Sequence, residues 1–287
     1  MIATPDNSPF VVSFNWLRER LGQPGLKIVD ASWYLPVQNR SGPAEFAAAR
    51  IPGAVFFDQD RIIDPDSELP HALPGPDIFA RAAAGLGLSD TDTIVVYDGP
   101  GMFTAPRVWW LLRTFGAGNS YVLDGGFDSW KTQGLPVEDG KPAVPAQAEF
   151  NTNLNSRAPT GFDQMRAIVD TGTSQIADAR GPGRFTGAEP EPREGMRSGH
   201  MPGARNVPFP ALSEGGKLKS NKELRAVLES AGIDLQKPVV TTCGSGVTAA
   251  VITLALQSIG HRDNTLYDGS WSEWGGRDDT PIVTGEA

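Results

Sequence analysis

The chain repeats itself. Ile28-Val29-Asp30-Ala31-Ser32 parallels Ile176-Ala177-Asp178-Ala179-Arg180, and Ile51-Pro52-Gly53-Ala54 matches Met201-Pro202-Gly203-Ala204. Ile94-Val95-Val96-Tyr97-Asp98-Gly99 parallels Val239-Val240-Thr241-Thr242-Cys243-Gly244, and Leu123-Asp124-Gly125-Gly126-Phe127-Asp128-Ser129-Trp130 parallels Tyr267-Asp268-Gly269-Ser270-Trp271-Ser272-Glu273-Trp274. Four blocks recur in the same order at offsets of 144 to 150 residues, and chance does not keep order and spacing together. A period of that length is a whole domain, too long for a solenoid unit. Whatever one half folds into, the other should fold into as well. With 287 residues, each copy can bury its own core.

Within each copy strands and helices alternate. The first half predicts a helix over 14–21, a strand over 27–31, an irregular segment up to Pro52-Gly53 and a short strand over 54–57. A helix over 77–84, a strand over 93–97, a helix with Pro106 in its first turn and a strand over 120–123 complete it. The second half repeats the pattern, and Ser220 three residues before Glu223 is a capping box opening a helix over 221–230. Short β-branched strands separated by helices imply an α/β fold, a parallel sheet flanked by helices in each of two tandem domains. Lys141 to Ala148 is rich in proline and alanine and reads as connecting chain. The domains are expected at 1–137 and 159–287, with a linker over 138–158.

The one cysteine, Cys243, stands at the most distinctive point of the second copy. A short apolar run, Pro238 to Thr242, precedes it, and an apolar stretch from Thr248 to Ile259, stopped by Gly260, follows as a helix. The thiol therefore sits on a glycine-bearing turn between strand and helix. Backbone N–H groups of such a turn converge on one point, and the positive end of the helix faces it. An anion at that point gains several donors and a favourable dipole, so Cys243 reads as reactive rather than as inert core. A Cys-x-x-Cys redox pair is excluded by the single cysteine. Phosphatase chemistry wants an arginine soon after the nucleophile, and none occurs before Arg262. Neither half offers a Gly-x-Gly-x-x-Gly turn for a dinucleotide.

Charge narrows the partners. The net charge of −9 argues against nucleic acid, which needs a basic face, but not against a small anion bound by a local arginine cluster. Met1 to Asn7 shows no secretory or transit signal, and no run is long enough to span a membrane, so a cytoplasmic location is expected. One cysteine and three scattered histidines suggest no metal site, and no cofactor is expected.

On these residues the chain resembles the two-domain rhodanese family of sulfurtransferases, from about residue 10 to residue 280. Cys243-Gly244-Ser245-Gly246-Val247-Thr248-Ala249 is similar to the active-site loop of its 3-mercaptopyruvate branch, whereas thiosulfate sulfurtransferases typically carry a basic loop there. Gly183-Arg184-Phe185, Glu191-Pro192-Arg193 and Gly199 to Ala204 extend the resemblance. It implies a persulfide cycle: Cys243 takes sulfur from 3-mercaptopyruvate, pyruvate leaves, and a thiol or cyanide removes the sulfur. It implies that Arg184 and Arg193 hold the donor, together with Gly244, Ser245, Gly246, Val247 and Thr248, and that Ser245 assists the chemistry. A thioredoxin-like protein is an expected thiol acceptor, and a monomer with one complete cleft suffices. The rival readings are thiosulfate as donor and a non-catalytic sulfur carrier.

Asp98 stands where the second copy has Cys243, so the first copy is expected to be catalytically silent and to wall the cleft. Some proposals for the family use a first-domain histidine in a serine–histidine–aspartate relay. The turn that many relatives mark with histidine has Arg50 here, which leaves Ser245, with water or the substrate's own groups, as the expected proton donor. His200 is expected to be structural, and His71 and His261 structural or facing solvent. Trp109, Trp110, Trp130, Trp271 and Trp274 are expected in packing roles.

Overall fold

The computed structural model describes residues 8–286, so the stretch read for a targeting signal, Met1 to Asn7, lies outside the described residues. The chain forms two compact units. The first takes the chain up to Pro65, Leu73–Asn155 and Ser213–Leu218; the second takes Asp66–Ala72, Ser156–Leu212 and everything from Lys219.

Each unit is built on a five-stranded sheet whose pairings are all parallel. In the first, the order is Val11–Val12, Ser120–Leu123, Thr93–Tyr97, Leu26–Asp30, Ala54–Phe56. In the second it is Pro159–Thr160, Asn264–Tyr267, Val239–Thr242, Gln175–Asp178, Ala204–Asn206. The order is the same twice over. Tyr97 pairs with Asp30 and Thr242 with Asp178, which makes Asp98 and Cys243 structural equivalents. The central strands are buried nearly throughout, as the apolar runs Thr93–Tyr97 and Val239–Thr242 require of a sheet covered on both faces.

The helix after each central strand is buried almost all round. Of Ala105–Thr114 only Arg113 is partly open, and of Ala249–Ser258 only Gln257. Such a helix needs no polar face, and its Val, Ile and Leu side chains each contribute roughly 1.5–3 kcal/mol by leaving water. The Ser220–Glu223 capping box forms, with Ser220 N donating to Glu223 Oε2 at 2.9 Å. All five expected tryptophans are buried, and His200 is too, stacked on Phe185 with ring centroids 3.8 Å apart.

The helix expected over 14–21 is shorter, Phe14–Arg18, and a strand not expected from sequence, Val11–Val12, precedes it. The segment before Pro52-Gly53 is not wholly irregular: Gly42–Ala48 is a helix capped by Ser41, whose Oγ accepts from Ala44 N at 3.4 Å. Gly42-Pro43 reads as a breaker in sequence, yet proline belongs in a first turn. The glycine is required because a side chain at 42 would collide with the Ser32 carbonyl. Among the described residues no helix is long and apolar enough to cross a membrane.

Candidate active site

Cys243 closes the strand Val239–Thr242 and is 2% exposed. Its backbone is tied on both sides: Cys243 N donates to Ser270 Oγ at 3.2 Å, and Trp271 N donates to Cys243 O at 2.9 Å. Ser270 is held in turn by donating to Tyr267 O at 2.8 Å. The loop 243–248 then wraps back toward the helix Ala249–Ser258, with Gly246 at φ +77°, a conformation glycine adopts without strain. Among the described residues the amides of Gly244, Ser245, Gly246, Val247 and Thr248 donate no hydrogen bond. Buried amides are normally paired, so these unspent donors next to Cys243 in the chain are available to an anion.

Arg184 reaches this loop from the one-turn helix Pro182–Thr186. A methyl group added at Gly244 would come within 3.0 Å of Arg184 Nη2, so the guanidinium lies directly against the loop. Glu191 fixes it there, accepting from Arg184 Nε at 3.1 Å and also from Nη2. The other oxygen of Glu191 accepts from Arg180 Nη1 at 2.7 Å, and Arg180 is held by Asp178 at 2.7 Å and lies 4.2 Å over the Trp271 ring. Burial works against the charge of Arg180, but the Asp178 and Glu191 carboxylates together raise its pKa above the ordinary arginine range. Arg193 approaches from the other side, with Nη1 donating to Ser272 Oγ at 3.3 Å; that hydroxyl donates to Gly244 O at 2.7 Å. Arg184 and Arg193 thus both reach the stretch that carries Cys243 and Gly244, one through Glu191 and the other through Ser272.

Sequence reasoning missed two residues. Glu191 was given no role of its own within Glu191-Pro192-Arg193, although its side chain is 4% exposed and carries two arginines. Of the two places expected for His71, structural or facing solvent, the second is excluded: it is 5% exposed, and its Nδ1 lies 3.0 Å from Ser245 Oγ. The hint available was its place in a proline-rich segment without periodicity, where function rather than packing sets the residues. Arg50, in contrast, is buried structure in the first unit, bonded to Glu138 and donating to Gly140 O at 2.8 Å. His261 is half-buried, its Nε2 3.0 Å from Lys237 O. Among the described residues no cluster of His, Cys, Asp and Glu could hold a metal ion.

The first unit has the same loop in another state. Asp98 is fully buried, and its carboxylate accepts from the amides of Gly101 at 2.6 Å, Phe103 at 3.0 Å, Thr104 at 2.7 Å and Ala105 at 2.7 Å. Burial raises its pKa, and those four amides pull the other way.

Comparison with known proteins bears on both units. A rhodanese-like domain is matched twice, over residues 13–133 and 162–277. The chain is 42% identical to the 3-mercaptopyruvate sulfurtransferase of Escherichia coli K12, over 96% of this chain and 98% of that one. It is also 42% identical to the thiosulfate sulfurtransferase of Bos taurus, over 92% and 91%. The crystal structure of SseA from Escherichia coli superposes with a TM-score of 0.84 at 40% identity, covering 92% of this chain and 99% of that one. Two domain matches, near-complete coverage and two sheets with one strand order lead to the same place: the chain belongs to the rhodanese family, as two rhodanese-like domains in tandem.

Proposed function

We propose that the protein is a 3-mercaptopyruvate sulfurtransferase whose chemistry runs on Cys243. The observation that carries this reading is the loop: a buried thiol within a ring of undonated amides, with the Arg184 guanidinium against Gly244. The Cys243 thiolate attacks the sulfur of 3-mercaptopyruvate. A sulfur–sulfur bond forms, the carbon–sulfur bond breaks, and its electron pair leaves with the carbon as the enolate of pyruvate. That enolate takes up one proton and the new persulfide gives one up, so the cycle is balanced without an oxidant. His71 and Ser245, 3.0 Å apart, are suited to deliver the proton. The amides of Gly244 to Thr248 stabilise the persulfide anion, and Arg184 and Arg193 bind the donor's carboxylate.

Cyanide or a thiolate then attacks the outer sulfur and releases Cys243 for the next cycle. A thioredoxin-like protein suits the thiol role, a monomer holds all the residues named here, and the first unit is catalytically silent because Asp98 cannot carry sulfur.

Thiosulfate is the rival donor, and identity to the bovine enzyme of that name is as high as to the bacterial one. The neutral Gly244-Ser245 favours mercaptopyruvate. The test is sulfur transfer to cyanide from each donor, with Cys243→Ser as control. We expect kcat/KM to favour 3-mercaptopyruvate and the variant to lose at least about a thousandfold. Preference for thiosulfate would overturn the donor, and activity in the variant would overturn the mechanism.

A further inference from the structure

The two copies share a second correspondence. Asp128 N donates to Gly99 O at 2.9 Å in the first unit, and Ser272 N donates to Gly244 O at 2.8 Å in the second, so Asp128 and Ser272 hold one place in the fold. A methyl group on Gly99 would come within 3.0 Å of Arg40 Nη2, as one on Gly244 would of Arg184 Nη2. Arg40 and Arg184 therefore hold one place as well. Each gives its Nε–Nη2 edge to a glutamate. For Arg40 that is Glu45, at 2.8 and 2.7 Å; for Arg184 it is Glu191.

The outer edges differ. Arg40 gives Nη1 and Nη2 to the two oxygens of Asp128, at 2.8 and 3.1 Å, a bidentate carboxylate. Arg184 Nη1 donates no hydrogen bond among the described residues. Where the first copy has the Asp128 carboxylate, the second has the short Ser272 hydroxyl, turned onto Gly244 O at 2.7 Å and accepting from Arg193.

We infer that Ser272 sets access to the outer edge of Arg184, the edge that Asp128 fills on Arg40 in the first unit. A 2-oxo acid places its carboxylate on the Nη1–Nη2 edge of Arg184, with Arg193 alongside. Ser272 is the specificity-determining residue, because a short neutral side chain leaves that seat open. An aspartate there would saturate Arg184 as Asp128 saturates Arg40. Being part of the same chain, it would compete at an effective concentration in the millimolar range or above. The inference rests on the mercaptopyruvate reading for the identity of the donor, but the seat itself suits any small 2-oxo carboxylate.

The experiment compares Ser272→Asp with Ser272→Asn, which has the same shape without the charge, and with Ser272→Ala. Pyruvate binding, followed by tryptophan fluorescence, and KM for 3-mercaptopyruvate are both measured. We expect Ser272→Asp to weaken both by about a hundredfold, and the two neutral variants to stay within about tenfold of the parent. Equal effects of aspartate and asparagine, or parent-like affinity in Ser272→Asp, would overturn the inference. Should Ser272→Asp not fold, the neutral variants decide. If both lost about a hundredfold, the hydroxyl itself would be what matters, and the open seat would be wrong. A parent enzyme that prefers thiosulfate, yet loses pyruvate binding only with aspartate at 272, would sink the donor assignment and leave the seat standing. Efficient use of mercaptopyruvate by Ser272→Asp would do the reverse.

Discussion

In the first unit the loop after the central strand closes on Asp98; in the second it opens around Cys243. The backbone does nearly the same thing in both places, down to the two amides that pin each loop to the segment beyond the next strand. What differs is where the negative charge comes from. The first copy supplies its own, one carboxylate in the amide ring and another on the outer edge of Arg40. The second supplies neither, and puts a thiol in the ring and a hydroxyl beside the arginine. On the proposed function, the same backbone is silent where the chain supplies its own anion and reactive where that place is left for a substrate.

Asp98→Ala breaks the comparison most directly. Four buried amides lose their acceptor together, and we expect the first unit to lose about 4 kcal/mol of stability, while sulfur transfer per folded molecule is unchanged. Urea unfolding reads the first quantity and cyanide turnover the second. An unchanged unfolding midpoint would mean that the ring does not need its anion.

Asp30 sharpens the contrast between the strands beside the loops. Its counterpart Asp178 lies against the Arg180 guanidinium, whereas Asp30 is buried with Ser32 as its near neighbour. Burial, reinforced by the nearby Asp98, pushes its pKa up to about 6. The folded pKa exceeds the unfolded value of about 3.9, so the folded chain holds the proton more tightly. This contribution to stability is full below pH about 4 and is lost as pH rises through about 6, a change of about 3 kcal/mol. Asp30→Asn is expected to remove that slope from a plot of stability against pH. The same slope in the variant would assign it to another group.

The smallest effect is expected at His71. His71→Ala should lower kcat by about a hundredfold, with little change in KM, because in the proposed mechanism the pair with Ser245 moves a proton rather than holding the donor. A pure KM effect would make His71 part of binding instead.

Much of this was readable from residues alone, and the reasons are physical. Thr93–Tyr97 and Val239–Thr242 are apolar because both faces of a parallel sheet are covered, so strands and duplication stood out together. Cys243 was legible because glycines and hydroxyls crowd a strand-to-helix turn. His71 was not, since nothing local marks a histidine whose partner lies 174 positions away. Glu191 was hidden for the opposite reason. Glu191-Pro192-Arg193 stood out as a stretch, but only the fold shows two arginines converging on its glutamate. Asp98 was read as the absence of a thiol, and the four amides that make it a ligand are invisible without backbone geometry.

The allotment of segments to the two units bears on how the chain is made. The first unit includes Ser213–Leu218, and the second includes Asp66–Ala72. On a ribosome delivering residues in order, the first unit cannot be completed when its last sheet strand emerges, for it must wait until residue 218 has left the tunnel. A cut within 138–158 would likewise strand a piece of each unit on the wrong fragment. His71 leaves the ribosome early and stays without Ser245 until most of the second unit has been synthesised. The nascent chain therefore acquires the His71–Ser245 contact only near the end of synthesis, after the strand and thiol of the second unit have emerged.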